Sequence, residues 1–205
     1  MTHDEQRLYL IRALLAEEPR YQGIRIPSSE EGQKDLLRSL ANVRMPKPIS
    51  QEFLEIQDTY LTEEQVRTGV TDADLLPPIP SDARLALWQG DITTLKADAI
   101  VNAANSSLLG CFHPLHSCID NIIHSRSGIQ LRLLCNEIME RQGHEEPTGR
   151  AKITPAFNLP SKYILHTVGP VIFGQVTEHD CELLASCYRS CLKLADEYHC
   201  KSVAF

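Results

Sequence analysis

The sequence lacks the features that would place a protein across a membrane or direct its export. Its longest apolar stretches, such as Asp98 to Ala104, are far shorter than the roughly 20 residues that a helix needs to span a bilayer. Its first four residues, Met1-Thr2-His3-Asp4, are polar and show no signal-peptide pattern. We therefore expect no membrane association and, by default, a cytoplasmic protein.

Clusters of Lys and Arg are also absent, and the formal net charge of the 205 residues is −7. Non-specific binding of nucleic acid depends on clustered basic side chains that neutralise phosphates. The sequence therefore predicts no nucleic-acid partner. A phosphate ligand would be held locally, by backbone N–H groups of a glycine-bearing loop, by a helix N-terminus or by a metal.

Cysteine is missing from the first 110 residues, and the seven that follow are an odd number in a chain without an export signal. This usage does not predict a full disulfide framework. Cys187 and Cys191 are four residues apart in a helical-looking segment. We expect both thiols to pack in a core, where free Cys behaves as a small hydrophobic residue.

Two regions with different hydrophobic periodicity follow one another along the chain. In residues 1–80, apolar residues recur at helical spacing near 8–15, 36–43 and 53–70, which predicts a helical N-terminal extension. The proline-rich run Leu76 to Pro80 cannot continue a helix and separates this extension from the remainder.

From residue 82 onwards, short apolar runs alternate with helix-length stretches, which predicts an α/β fold with a mixed or mainly parallel sheet. The predicted strands include Leu85 to Trp88, Asp98 to Ala103, Tyr163 to Leu165 and Ser202 to Phe205. The predicted helices are Ile119 to His124, Ile129 to Gln142 and Cys181 to Tyr198.

Two motifs after predicted strands have the donors and acceptors that a nucleotide-like ligand needs. In Gln89 to Thr93, a glycine permits a tight turn and the carboxylate of Asp91 can accept a hydrogen bond from adenine. In Ala99 to Asn105, the amides of Asn102 and Asn105 can bond ribose hydroxyls, and the two alanines between them permit close approach. Alternatively, the first motif is an ordinary turn and the asparagines are caps.

A third motif, Gly110 to Asp120, has two thiols, two imidazoles and a carboxylate within eleven residues. Zinc favours thiolate and imidazole ligands, and a site with three protein ligands keeps a fourth position for water or substrate. Buried thiols with incidental histidines are the alternative. Pro114 favours a helix that begins near residue 115, with Asp120 one turn beyond His116.

A fourth motif combines Thr148 to Thr154 with Tyr163 to Pro170. By itself this pattern indicates two strands and a turn, and we expect His166 to be a structural histidine.

In order and spacing, these four motifs over residues 82–205 resemble the macrodomain family of ADP-ribose binders and hydrolases. The resemblance implies a three-layer α/β/α sandwich with a mixed sheet. The Cys/His motif replaces the glycine run usual in hydrolytic members and resembles the zinc-dependent subclass, which also has a helical N-terminal extension. A whole macrodomain would continue past Phe205 through a further strand, a helix and a second glycine-containing loop, so the resemblance implies that a C-terminal part is missing.

The resemblance also implies roles for single residues. Catalysis would depend on Asn105 and Asp120. The implied ADP-ribose contacts are Asp91 and Ile92 near the adenine and Asn102 and Asn105 at the distal ribose. The implied Zn²⁺ ligands are Cys111, His116 and Cys118, and His113 could replace one of them.

The implied function is zinc-dependent hydrolysis that removes mono-ADP-ribose from modified proteins, at acidic side chains, with a lipoyl-carrier-like protein as the implied partner. Zinc would position the ribose, with a shared catalytic role for Asp120, or zinc would activate a water. The main alternative is a non-catalytic ADP-ribose-binding module with a structural zinc. Two others are a hydrolase for another nucleotide conjugate and a redox sensor built on Cys111 and Cys118.

Overall fold

A computed structural model describes all of residues 1–205. The N-terminal region consists of three helices: α1 (His3–Ala16), α2 (Glu30–Val43) and α3 (Gln51–Thr68). Each begins after a Ser or Thr whose side-chain oxygen accepts a hydrogen bond from the backbone N–H three residues later. The three capping residues are Thr2, Ser29 and Ser50. The predicted helical character of this region is therefore confirmed.

The three N-terminal helices share one buried apolar cluster with helix α5 (Ile129–Gln142) of the second region. Its members include Leu10, Leu14, Leu40, Phe53, Tyr60 and Ile129. Helix α5 follows Gly128, which has no side chain to cap it, and the backbone N–H of Ile129 donates instead to Gln57 Oε1 of α3 at 3.0 Å. The N-terminal helices therefore complete both the packing and the capping of a helix in the second region.

Short strands connect the two regions: β1 (Thr71–Asp72), β2 (Pro78–Ile79), β3 (Asp82–Ala86) and β4 (Leu95–Lys96). β1 pairs with β4, and β2 pairs with β3. The prediction of a strand over Leu85 to Trp88 is wrong in its bounds and its surroundings. β3 ends at Ala86, lies outside the main sheet and leaves Leu85 and Leu87 exposed, because its one strand partner is the two-residue β2.

The main sheet has four strands: β5 (Ala99–Ala103), β6 (Ala151–Pro155), β7 (Tyr163–Thr167) and β8 (Val203–Ala204). Their spatial order is β6-β7-β5-β8. β5 is parallel to β7 and β8, while β6 is antiparallel to β7, so the predicted mixed sheet is confirmed.

Helices cover both faces of this sheet. On one face, Ile100 and Ile164 pack in the same buried cluster as Ile123 of α4 (Ile119–Ser127) and Leu131 of α5. On the opposite face, α6 (Glu178–Glu197) packs against the sheet through a second cluster. That cluster contains Ala99, Leu165, Cys191 and Ala195. The three-layer α/β/α architecture is therefore confirmed, and Cys187 and Cys191 are buried as expected.

The predicted helix Ile119 to His124 begins at the observed residue, whereas the alternative start near residue 115 is wrong. Helix α4 begins at Ile119 with Cys118 as its N-cap, and Leu115 has a φ of +56°, which a right-handed helix does not allow. No helix of the protein combines the length and the apolar character needed to cross a membrane.

Candidate active site and metal-ligand loop

Asn102 and His166 face each other across the paired strands β5 and β7. Asn102 has no exposed surface, and its Nδ2 lies 3.1 Å from His166 Nδ1. Because an amide nitrogen only donates, His166 Nδ1 accepts and Nε2 donates to Thr154 Oγ1 at 2.9 Å. Burial lowers the pKa of His166 to about 4, so the ring is neutral and structural at pH 7.

Asp120 lies in the first turn of α4 and is 5% exposed. Its Oδ1 accepts from Asn102 Nδ2 at 2.8 Å, and its Oδ2 accepts from Asn105 Nδ2 at 3.3 Å. Burial raises the pKa of the Asp120 carboxyl, while the hydrogen bond from Asn102 and the charge of Arg132 act in the opposite direction. The structure thus brings both predicted asparagines to the predicted catalytic carboxylate.

The two asparagines have different surroundings. Asn105 is exposed; its Nδ2 also donates to the carbonyl of Gly110 at 2.9 Å, and its Oδ1 accepts from Ser107 Oγ at 2.6 Å. Asn102 is enclosed and turned toward Asp120. In this conformation only Asn105 is accessible to a ribose, and the ribose contact of Asn102 stays a prediction.

Cys111, His116 and Cys118 place one ligand atom each within 4.8 Å of one another. Cys111 Sγ and His116 Nδ1 are 3.8 Å apart. In tetrahedral zinc, a sulfur at about 2.3 Å and a nitrogen at about 2.0 Å from the metal lie roughly 3.5 Å apart. The donor types and their spacing therefore fit zinc.

His113 lies outside this group of three ligand atoms. Its Nδ1 is 3.2 Å from the carbonyl oxygen of Pro114, and its ring centre is 5.4 Å from that of His116. Cys118 also caps α4, because its Sγ accepts from the N–H of Asn121 at 3.4 Å. Burial raises the pKa of the Cys118 thiol.

A second group of ligand-type side chains, not identified from the sequence, lies beneath Asp120. His124, Cys135 and His166 are buried, and their ligand atoms are within 4.8 Å of one another. Neither ring nitrogen of His124 has a hydrogen-bond partner, and Nε2 is 3.6 Å from Asp120 Oδ1. Burial lowers the pKa of His124 well below its usual value, so this ring is neutral at pH 7. The only sequence signal for His124 was its position four residues after Asp120.

Gly110, which precedes the Cys/His loop, packs directly against His124. It has a φ of +78°, and a Cβ built there would lie 2.7 Å from the His124 ring. Only glycine fits at this position.

Asp91 and Ile92 line an open cleft that extends to Ala103 and to Ile119 at the start of α4. Asp91 Oδ1 accepts from the N–H and Oγ1 of Thr93, at 3.0 and 2.6 Å. Asp91 Oδ2 pairs with Arg126 Nη1 at 2.8 Å. Arg126 is a further site residue that the sequence did not reveal.

Comparison with known proteins identifies the family of this chain. The Macro domain family matches residues 101–205. A protein-ADP-ribose hydrolase of Treponema medium is 58% identical over 207 residues, covering 100% of this chain and 79% of the relative. One of Staphylococcus aureus (strain MSSA476) is 52% identical over 198 residues, covering 96% of this chain and 74% of the relative.

A solved structure of similar fold is the Trypanosoma brucei macrodomain in complex with ADP-ribose. It is 30% identical, with a TM-score of 0.53, and the match covers 77% of this chain and 67% of that one. The family match, the identities and the α/β/α architecture agree, and we conclude that the chain belongs to the macrodomain family.

Proposed function

We propose that this protein is a hydrolase that releases ADP-ribose from modified proteins, with zinc bound by Cys111, His116 and Cys118. Two relatives more than half identical to nearly the whole chain are named protein-ADP-ribose hydrolases, which supports the reaction class. The observation that carries the proposal is the position of Asp120. This buried carboxylate follows the ligand Cys118 by two residues and accepts hydrogen bonds from Asn102 and Asn105.

The cleft residues account for binding of ADP-ribose. The carboxylate of Asp91 accepts a hydrogen bond from the exocyclic amine of adenine, and Ile92 contacts the base. At the other end of the ligand, the exposed amide of Asn105 bonds the distal ribose and orients C1 toward Asp120. The net charge of −7 is compatible with this ligand, since a diphosphate is held by local groups and needs no basic surface.

In the proposed reaction, the bond between C1 of the ribose and the oxygen of the protein side chain breaks, and a water oxygen bonds to C1. Asp120 orients that water and accepts one of its protons. With an acidic side chain as substrate, the leaving group is a carboxylate. Asn102 holds the Asp120 carboxylate in place, and the neutral His166 holds Asn102.

The ligand set favours a catalytic zinc over a structural one. Structural zinc sites use four protein ligands, whereas three leave a position for water or substrate. His113, the one further imidazole of the loop, lies outside the group of three. Zinc, when bound, supplies Lewis acidity toward oxygen atoms of the substrate or of water.

The acidic linkage and the lipoyl-carrier-like partner rest on the family resemblance alone. Assays with ADP-ribosylated proteins of different linkage chemistry would test the acidic linkage. Release from a modified Glu or Asp but not from a modified Ser would support the acidic linkage, and the reverse preference would contradict it.

The first test is elemental analysis of wild type, Cys111→Ala and His116→Ala, with each protein assayed for release of ADP-ribose from a modified protein. His113→Ala is the matched control, because it removes an imidazole of the same loop. We expect about one zinc per chain in wild type and in the control, and loss of zinc and activity together in the two ligand variants. Full activity without metal would contradict the zinc dependence, and binding of ADP-ribose without hydrolysis would indicate a binding module.

A further inference from the structure

Residues 111–118, here called the ligand loop, have neither helical nor strand structure of their own. Within the loop, Leu115 has a φ of +56°, a left-handed conformation that is unfavourable for a residue with a side chain. Such a conformation persists only where surrounding groups hold it. The contacts that hold this loop come mainly from two other elements, α2 and α4.

Asn42 of α2 holds the strained residue. It is 1% exposed, and its Oδ1 accepts a hydrogen bond from the N–H of Leu115 at 3.0 Å. Its Nδ2 donates to Ser125 Oγ of α4 at 2.8 Å. Asn42 therefore connects α2, α4 and the backbone directly before the ligand His116.

Arg38, one turn earlier in α2, holds the carbonyl of the ligand His116. Its Nη2 donates to the carbonyl of His116 at 2.7 Å and to Asn121 Oδ1 at 2.8 Å. Asn121 is fully buried, and its Nδ2 donates to the carbonyls of Cys111 and His113, at 3.3 and 2.9 Å. Arg38 thus acts on the loop both directly and through Asn121.

The bonds by which Arg38, Asn42 and the Asn121 side chain reach the ligand loop all end on backbone atoms of the loop. They fix the peptide groups and do not occupy the thiols or the imidazole that would bind zinc. Groups that hydrogen-bond metal-ligating side chains typically contribute 10–100-fold to metal affinity, and bonds that fix the backbone carrying those side chains serve the same orientation.

We propose that helix α2 sets the zinc affinity of the ligand loop, with Arg38 and Asn42 as positioning residues for His116. The inference rests on the proposed function, since it requires that the loop binds zinc. It assigns the N-terminal region a role in the metal site, in addition to its role in packing.

The test is the zinc dissociation constant of the full chain, measured by competition with a chromogenic chelator. The variants are Arg38→Met and Asn42→Ala. Arg7→Met is the matched control for Arg38, because Arg7 is a buried arginine of the same helical region that bonds Gln33 and Asp4 and does not contact the loop. Ser125→Ala is the control for Asn42, because it removes the other hydrogen-bond partner of that side chain.

We expect Arg38→Met and Asn42→Ala each to weaken zinc binding at least tenfold, and both controls to stay within about threefold of wild type. In the metal-free proteins, the amide of Leu115 should exchange with solvent faster in Asn42→Ala than in Ser125→Ala. This second readout does not depend on metal.

Wild-type zinc affinity in both α2 variants, or equal weakening in the Arg7→Met control, would overturn the inference and leave the proposed function intact. A wild-type protein that binds no zinc would overturn both.

Discussion

Arg126 of helix α4 and Asp91 of the cleft form an ion pair of 2.8 Å, with 41% and 36% of their side chains exposed. Arg126 Nη1 also donates to Thr93 Oγ1 at 2.8 Å. The pair is too exposed to contribute much to stability. Its consequence is geometric, because Thr93 holds Oδ1 of Asp91 and Arg126 holds Oδ2, so the orientation of the carboxylate is fixed.

Replacing Asp91 should therefore change base recognition. We expect Asp91→Ala to weaken ADP-ribose binding by about ten- to a hundredfold, the value of a hydrogen bond to a charged group. Arg126→Met should weaken it less, because the acceptor remains. Calorimetry with ADP-ribose and with its hypoxanthine analogue measures this. Selectivity for adenine that persists in Asp91→Ala would contradict the assignment.

Asp120→Asn should separate binding from hydrolysis. The substitution keeps the size of the side chain and removes its capacity to accept a proton. We expect the rate of ADP-ribose release to fall at least about a hundredfold, with ADP-ribose affinity within a few fold of wild type. Asp196→Asn, an exposed carboxylate on α6, is the control. Equal rates in wild type and Asp120→Asn would exclude Asp120 as a proton acceptor.

His166 should make the folded state sensitive to acid. Its pKa is about 4 in the folded protein against an ordinary value of 6.5, so the unfolded chain takes up its proton first as the pH falls. The contribution of the neutral His166 ring to the free energy of unfolding is fully present above about pH 6.5. It is lost as the pH falls from about 6.5 to about 4, and the total loss is about 3 kcal/mol.

Chemical denaturation of metal-free wild type and His166→Gln at several pH values measures this contribution. The free energy of unfolding should fall more steeply with acid in wild type than in the variant. The lowered pKa of His124 acts in the same direction and the raised pKa of Asp120 in the opposite direction, and both groups are present in both proteins. Parallel curves would show that His166 does not titrate differently on unfolding.

Gly110→Ala should destabilise the protein beyond the ordinary strain of a left-handed alanine. Gly143 is the matched control, because its φ of +74° is similar and a Cβ there would meet nothing within 4 Å. We expect Gly143→Ala to cost about 1 kcal/mol. Gly110→Ala should cost at least about 3 kcal/mol, because the methyl group would collide with the His124 ring. Equal losses in the free energy of unfolding of the two variants would show that the His124 ring moves aside at no cost.

The sequence predicted the elements whose signals are local. Helix α5 has the predicted bounds, and strands β5 and β7 lie where apolar runs placed them. The family resemblance implied the grouping of Cys111, His116 and Cys118, and the structure brings their ligand atoms together. Hydrophobic patterning predicted the start of α4 at Ile119, whereas the start near residue 115 that Pro114 favoured is wrong, because the hydrogen bond to Asn42 holds Leu115 in a left-handed turn.

Contacts between distant segments were beyond sequence reasoning. Arg38 and Asn42 lie in the predicted helical stretch 36–43, and their partners in the ligand loop lie 78 and 73 residues further along the chain. The orientation of Asn102 could not be predicted either. Alternation along β5 fixes the face to which its side chain points, but Asp120 reaches that face only through the packing of α4.

The first backbone N–H of helix α5 donates to the Gln57 side chain of α3, and part of the apolar packing of α5 comes from the N-terminal helices through the cluster around Ile129. A recombination event that exchanged the N-terminal helices alone would therefore remove a cap and open a hydrophobic core at once. The two regions should therefore be inherited together. For protein engineering, a graft that joins this α/β layer to another N-terminal region has to bring a replacement for Gln57 with it.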